Sequence, residues 1–194
     1  AIDLEMADWF SAQTEWISLI QVAYKDPSLQ IEVYDARYPW VRKHLSLLFS
    51  APVPKVFHNA SFDVNKIRKH WGITVANSFC TMAAARKAGH KYNLKDLTKE
   101  LLGITLNKSF QNSDFGRRPL TPDQIRYAGE DAAATLLLYN QLPPTRYYPK
   151  SLSPTDLQTA IAQYLKIKPD ASPYLILANC LGPRSGVFGY YLEQ

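Results

Sequence analysis

The stretch KVFHNASFD, Lys55 to Asp63, changes its period halfway along. Lys55 to His58 reads as a short buried strand. From Ser61 the apolar positions Phe62, Val64, Ile67 and Trp71 recur at helical spacing, until Gly72 signals a stop. Upstream the pattern is of strands: Ala1 to Met6 reads as the end of one, and Trp16 to Tyr24 (WISLIQVAY) is a β-branched and aromatic run suited to a central one. Ile31 to Tyr34 is a third, and Asp26-Pro27-Ser28 is a turn signal that suits an antiparallel connection. Trp40 to Phe49 has helical spacing and is closed by Pro52 and Pro54.

Downstream the pattern is helical. Met82 to Ala88 and Leu94 to Leu102 are expected as helices, the second stopped by Gly103. Thr121 is placed to cap a long helix that opens at Pro122 and runs to about Leu142. Strands first and helices after, with β–α alternation between, predict an α/β layer fold over residues 1–142. Pro143-Pro144 ends that unit, and residues 143–194 form a C-terminal extension to which no role is assigned. Ser153-Pro154-Thr155-Asp156 opens one expected helix there, Leu157 to Leu165.

The chain has 194 residues, 46% hydrophobic and 20% charged, which excludes a disordered or fibrous class. Its longest apolar runs, Thr135 to Tyr139 and Tyr174 to Ala178, fall far short of the roughly 20 residues a membrane span needs, so no membrane partner is expected. Cys80 and Cys180 form no Cys/His cluster, so neither a disulfide framework nor a zinc site is expected, and a reducing, cytoplasmic compartment is. No initiator methionine precedes Ala1, so the natural chain is expected to continue upstream, where a targeting signal has room. The net charge of +5 and pI near 9.1 suit a polyanionic partner.

Three acidic segments carry the chemistry. Asp3-Leu4-Glu5 puts two carboxylates on one face of a strand, where they repel each other and resist desolvation unless a cation lies between them; a solvated strand end is the alternative. Asp63 follows Asn59 by four residues at a strand-to-helix junction, a position either for a ligand or for an acid complementing a helix dipole. Tyr127 and Asp131 share a helix face one turn apart, which by itself is no more than a surface hydrogen bond.

Taken in order, D-x-E, N-x-x-x-D and Y-x-x-x-D resemble the motifs of the DEDD exonuclease superfamily. The intervening words Tyr92-Asn93-Leu94, Asp96-Leu97, Glu100-Leu101-Leu102-Gly103, Lys108-Ser109-Phe110-Gln111, Ser113-Asp114, Arg118-Pro119-Leu120, Gln124 and Tyr127-Ala128 are similar to the ribonuclease D branch. Arg126 stands where the histidine-type branch has its histidine, so the likeness is to the tyrosine type. Leu4 replaces a common threonine, Phe115 replaces a frequent tryptophan, and the tail is unlike the helical HRDC domains of full-length ribonuclease D.

The resemblance implies a ribonuclease H-like mixed β-sheet flanked by helices, and a two-metal-ion 3′→5′ exonuclease that releases 5′-mononucleotides from single-stranded nucleic acid with a free 3′ end, RNA favoured. Two Mg²⁺ or Mn²⁺ ions about 3.5–4 Å apart are implied. Asp3 would bridge both, Glu5 and Asp131 would complete the site of the ion carrying the attacking water, and Asp63 would hold the second through water. Tyr127 would orient that water. Met6 and Asn59 would touch the terminal nucleotide, and Phe62 or Phe110 would stack on a base, although core packing is the expectation for Phe62. Lys108, Arg117 and Arg118 are candidates for phosphate contacts. The rival readings are the same chemistry on DNA and a catalytically silent nucleic-acid-binding module.

Overall fold

In a computed structural model, which describes residues 1–25 and 29–142, the strands and helices follow the order the sequence implies. Strands β1 (Ile2–Ala7), β2 (Trp16–Lys25) and β3 (Leu29–Asp35) form an antiparallel sheet in that spatial order, with Asp3 opposite Gln21 and Glu5 opposite Leu19. Helix α1 (Pro39–Ser50) leads to β4 (Lys55–Phe57), helix α2 (Ala60–Trp71) and β5 (Ser78–Cys80), which pairs with β4 in parallel. The two ladders meet where β1 runs beside β4. Helices α3 (Thr81–Ala88), α4 (Leu94–Leu102) and α5 (Pro122–Gln141) complete the fold. The expected turn at 26–28 and the expected helix at 157–165 lie outside the described residues.

Helix α5 is the element that makes the site. Its start is held by a reciprocal capping box: the Thr121 hydroxyl accepts from the Gln124 amide N–H, and the Gln124 side chain accepts from the Thr121 N–H. It then lies across β2, β3 and β1. A Cβ at Gly129 would stand 3.3 Å from Ile31 Cγ2, so a glycine there lets the helix axis approach β3 closely. Helix α2 stops as expected at Gly72, whose φ of +67° is open to glycine at little cost. The main core fills the other face of the sheet, where Ile2, Leu4, Ile20, Val22 and Tyr34 meet Val41, Leu45 and Phe49 of α1.

Arg118 belongs to this framework and corrects an expectation. Its guanidinium, 10% exposed, bonds the buried Asp35 carboxylate at 2.9 Å, the Phe115 carbonyl at 2.8 Å and Ser18 Oγ at 3.1 Å. A guanidinium so enclosed has its donors committed and does not serve as a phosphate contact. Arg37 also grips Asp35, but is 41% exposed. The two arginines hold the Asp35 carboxyl below the usual range against the upward push of burial. Arg118→Ala is therefore expected to cost about 3 kcal/mol, the low end for stranding a buried charge because Arg37 remains. Arg37→Ala should cost under about 1 kcal/mol. Urea denaturation of both variants checks this ranking, which equal costs would overturn.

Candidate active site

Alternation along β1 buries Ile2, Leu4 and Met6 in the core and turns Asp3 and Glu5 to the face that α5 covers. From that helix come Tyr127 and Asp131, one turn apart and both buried. Asp63 enters from the first turn of α2, 3% exposed, behind Asn59, which caps the helix in the left-handed region at φ +66°. Four carboxyl groups from a strand and two helices thus converge, and the electrostatics record their proximity. Burial, then the Asp131 charge, lifts the Asp3 carboxyl to about 8. Burial together with Asp3, Asp131 and Asp63 raises Glu5 well above its ordinary value, and burial with Asp3 does the same to Asp63. Asp131 is raised less, because Lys108 and a hydrogen bond with Tyr127 oppose its desolvation.

Tyr127 is pushed upward by burial and by Asp131, Glu5 and Asp3. Its hydroxyl keeps its proton and is held on Asp131. It can donate a hydrogen bond at neutral pH but cannot serve as a base there. Phe115, the residue standing where relatives often have tryptophan, is buried with its ring centroid 6.2 Å from that of Tyr127.

Three neighbours of the acids were not read as such from the sequence. Lys108 Nζ lies 2.6 Å from Asp131 Oδ2 and 5.2 Å from the Tyr127 ring centroid, so the ammonium sits inside the acidic group and not on a solvated surface. Gln21, directly across the ladder from Asp3, is fully buried with both amide atoms unpaired among the described residues. Its one signal was being, with Ser18, one of two polar residues inside the otherwise apolar run ISLIQVAY. Cys80 lies near enough for a thiolate there to push the Asp63 carboxyl up; no sequence signal marked it.

Among the described residues no three His, Cys, Asp or Glu side chains are gathered closely enough to hold a metal ion as they stand. The donor set nonetheless suits a hard divalent cation. It is all oxygen, it holds four acids against one ammonium, and the unpaired Gln21 amide beside Asp3 is free to bond a carboxylate once a cation fixes it.

The other residues singled out by sequence divide. Asn59 is half-buried at the site, and Arg117 is exposed. Phe110 is partly buried against the core. Met6 is 7% exposed and packed in the core, which takes it away from any nucleotide in this conformation, because strand alternation points it opposite to Glu5. Core packing expected for Phe62 is corrected. Its ring is 43% exposed beside Asp63, because the first turn of α2 turns Asp63 inward and its chain neighbour outward.

Comparison with known proteins follows this geometry. RRP6-like protein 2 of Arabidopsis thaliana is 32% identical over 142 residues, 72% of this chain but 16% of that protein. Ribonuclease D of Xanthomonas oryzae is 29% identical over 140 residues, 70% of this chain and 38% of that protein. The chain therefore spans well under half the length of these relatives. The crystal structure of the catalytic core of RRP6 from Trypanosoma brucei superposes with a TM-score of 0.62 at 26% identity, covering 91% of this chain and 45% of that one. The fold is theirs, of ribonuclease H-like type. Since the 3′–5′ exonuclease family model matches residues 1–145 of 194, the chain belongs to the 3′–5′ exonuclease family.

Proposed function

We propose that this chain is a tyrosine-type, two-metal-ion exonuclease that removes 5′-mononucleotides from the 3′ end of single-stranded nucleic acid, with RNA favoured. The observation that carries the reading is the convergence of Asp3 and Glu5 from β1, Asp63 from α2 and Asp131 from α5 beside Tyr127, with burial raising each carboxyl. Carboxyl groups raised in this way destabilise the metal-free protein and are stabilised by bound cations. The ribonuclease D and RRP6 relatives support RNA as the substrate.

Asp3, Glu5, Asp63 and Asp131 would hold Mg²⁺ or Mn²⁺. Two such ions supply an activated water and neutralise charge on the phosphoryl group in flight. Tyr127, whose O–H donates to Asp131, would accept a hydrogen bond from the attacking water and so fix the line of attack. Lys108, which donates to Asp131, would offer its ammonium to a non-bridging phosphate oxygen. Asn59, half-buried at the start of α2, would hydrogen-bond the terminal nucleotide. Arg117, unlike Arg118, is free to meet the phosphate backbone.

The test is incubation with 5′-labelled single-stranded RNA and DNA of one sequence, with Mg²⁺, Mn²⁺ or EDTA. The expected result is a ladder shortening from the 3′ end in either metal, faster on RNA, and no products in EDTA. Mid-chain fragments as first products, or undiminished activity in EDTA, would overturn the reading. Faster trimming of DNA would keep the chemistry and reassign the substrate. Binding without cleavage in either metal would favour the silent module.

A further inference from the structure

Strand β1 does not end in a polar turn. Beyond Ala7 the chain passes through Asp8, at φ +50°, into Trp9 and Phe10, which are 58% and 80% exposed. Their rings meet each other edge to face, with centroids 6.5 Å apart, and no other ring among the described residues. Two large aromatic side chains held in water at a loop tip forgo the burial that would stabilise them.

The loop carrying them is fixed in place. Glu15, at its far end and 6% exposed, receives Lys66 at 2.5 Å and Lys69 at 2.7 Å from α2, and Lys69 also donates to the Ala12 carbonyl. Both ammonium groups hold the Glu15 carboxyl down to about 2. Two ammonium groups share that one carboxylate, and the exposed Asp8 carboxylate stands next to the rings in sequence. On the other flank, a Cβ at Gly116 would stand 3.1 Å from Ala7 Cβ, which sets the exposed Arg117 beside the root of the tip. Phe62, exposed next to Asp63 with Lys66 Nζ 5.2 Å from its ring centroid, faces solvent from α2.

Trp9 is four residues past Glu5, so its Cα lies within roughly 14 Å of the Glu5 Cα whatever the path of the turn. The aromatic tip is therefore continuous with the acidic site, and bases and phosphates find aromatic rings and cations interleaved there. Because the tip lies within a few residues of Asp3 and Glu5 on one chain, the nucleic-acid strand that enters the acidic site is the occupant within its reach. We propose that Trp9 and Phe10 are a stacking platform for the unpaired bases upstream of the 3′ nucleotide being removed, a proposal that rests on the exonuclease reading above.

Three proteins test it: wild type, the Trp9→Ala/Phe10→Ala double variant, and the Trp9→Phe/Phe10→Tyr double variant, which keeps both π-faces. Anisotropy of a labelled single-stranded oligonucleotide of about ten nucleotides, in EDTA, measures binding without turnover. Rates on that oligonucleotide and on a dinucleotide, in Mn²⁺, measure where the platform acts. The alanine variant should bind the oligonucleotide about ten- to hundredfold more weakly, with the aromatic variant close to wild type. The fall in kcat/KM should be confined to the longer substrate and carried by KM. Unchanged binding by the alanine variant, or an equal loss on the dinucleotide, would overturn the platform. If wild type cleaves nothing while the alanine variant still loses binding, the exonuclease reading fails and the platform stands.

Discussion

Asp3→Ala is expected to lower kcat at least about 10³-fold, whereas Tyr127→Phe should lose about tenfold to 10²-fold. Asp3 is raised by burial and by Asp131 and in turn raises Glu5 and Asp63, so its removal would take away the carboxylate common to the group. Tyr127 keeps its proton and acts by direction only. Without its hydroxyl the water loses an aiming contact, but the acids that hold the cations remain. Initial rates on labelled single-stranded RNA at saturating Mn²⁺, with melting curves to show that both variants fold, measure the ranking. A Tyr127→Phe protein as inactive as Asp3→Ala would show that the phenol does more than orient.

The second large effect concerns the protein without metal. Asp3, Glu5, Asp63 and Asp131 take up protons more readily folded than unfolded, since burial and mutual repulsion raise their pKa values. As pH climbs from the ordinary carboxylate range towards about 8, the unfolded chain ionises first and stability falls; above the raised values the loss is complete. The melting temperature in EDTA should therefore drop more, or rise less, between about pH 4 and pH 8 in wild type than in Asp63→Asn. The opposite contribution of His58, lowered to about 4 by burial, cancels in that comparison. Asp63→Asn removes one of the charges and should raise the melting temperature at pH 8, by about 3–6 °C for each kcal/mol of repulsion relieved. Added Mn²⁺ reverses the order. A cation that binds only the folded state stabilises it by about 2.7 kcal/mol at one hundred times its dissociation constant, and the variant binds it less well. The two titration curves should cross. Asp114→Asn is the control: the exposed Asp114 caps the Gly116 N–H through an oxygen that asparagine retains, and it should track wild type. Equal gains from Mn²⁺ in wild type and Asp63→Asn would leave Asp63 as a helix-dipole acid.

Much of this was legible in local sequence because the signals are local. A capping residue and its reciprocal glutamine lie three apart, so Thr121 and Gln124 announce the start of α5. Strand alternation alone sets Asp3 and Glu5 on one face, and helical spacing alone stacks Tyr127 over Asp131. What escaped has partners far along the chain. Strand β5 is three residues long and exists by pairing with β4, so no period betrays it. Arg118 was read as a phosphate contact because its word resembles a family motif, yet its partner Asp35 lies 83 residues away. Phe62 is as apolar as Ile67, and only the placing of Asp63 inward decides that its neighbour faces water.

The sequence by itself determined the α/β order, the strand and helices that carry the acids, and the face each acid takes, since these follow from periods of two and 3.6 residues and from caps within one turn. Tertiary structure alone decided that burial raises all four carboxyl groups and that Asp131 lifts Asp3, which lifts Glu5 and Asp63; it also decided that Lys108 lies on Asp131 and that Trp9 and Phe10 stay in water. Coulomb energy and desolvation depend on distance through space and on what is buried. Neither exists until α5 crosses β1 and α2 closes behind Asp63.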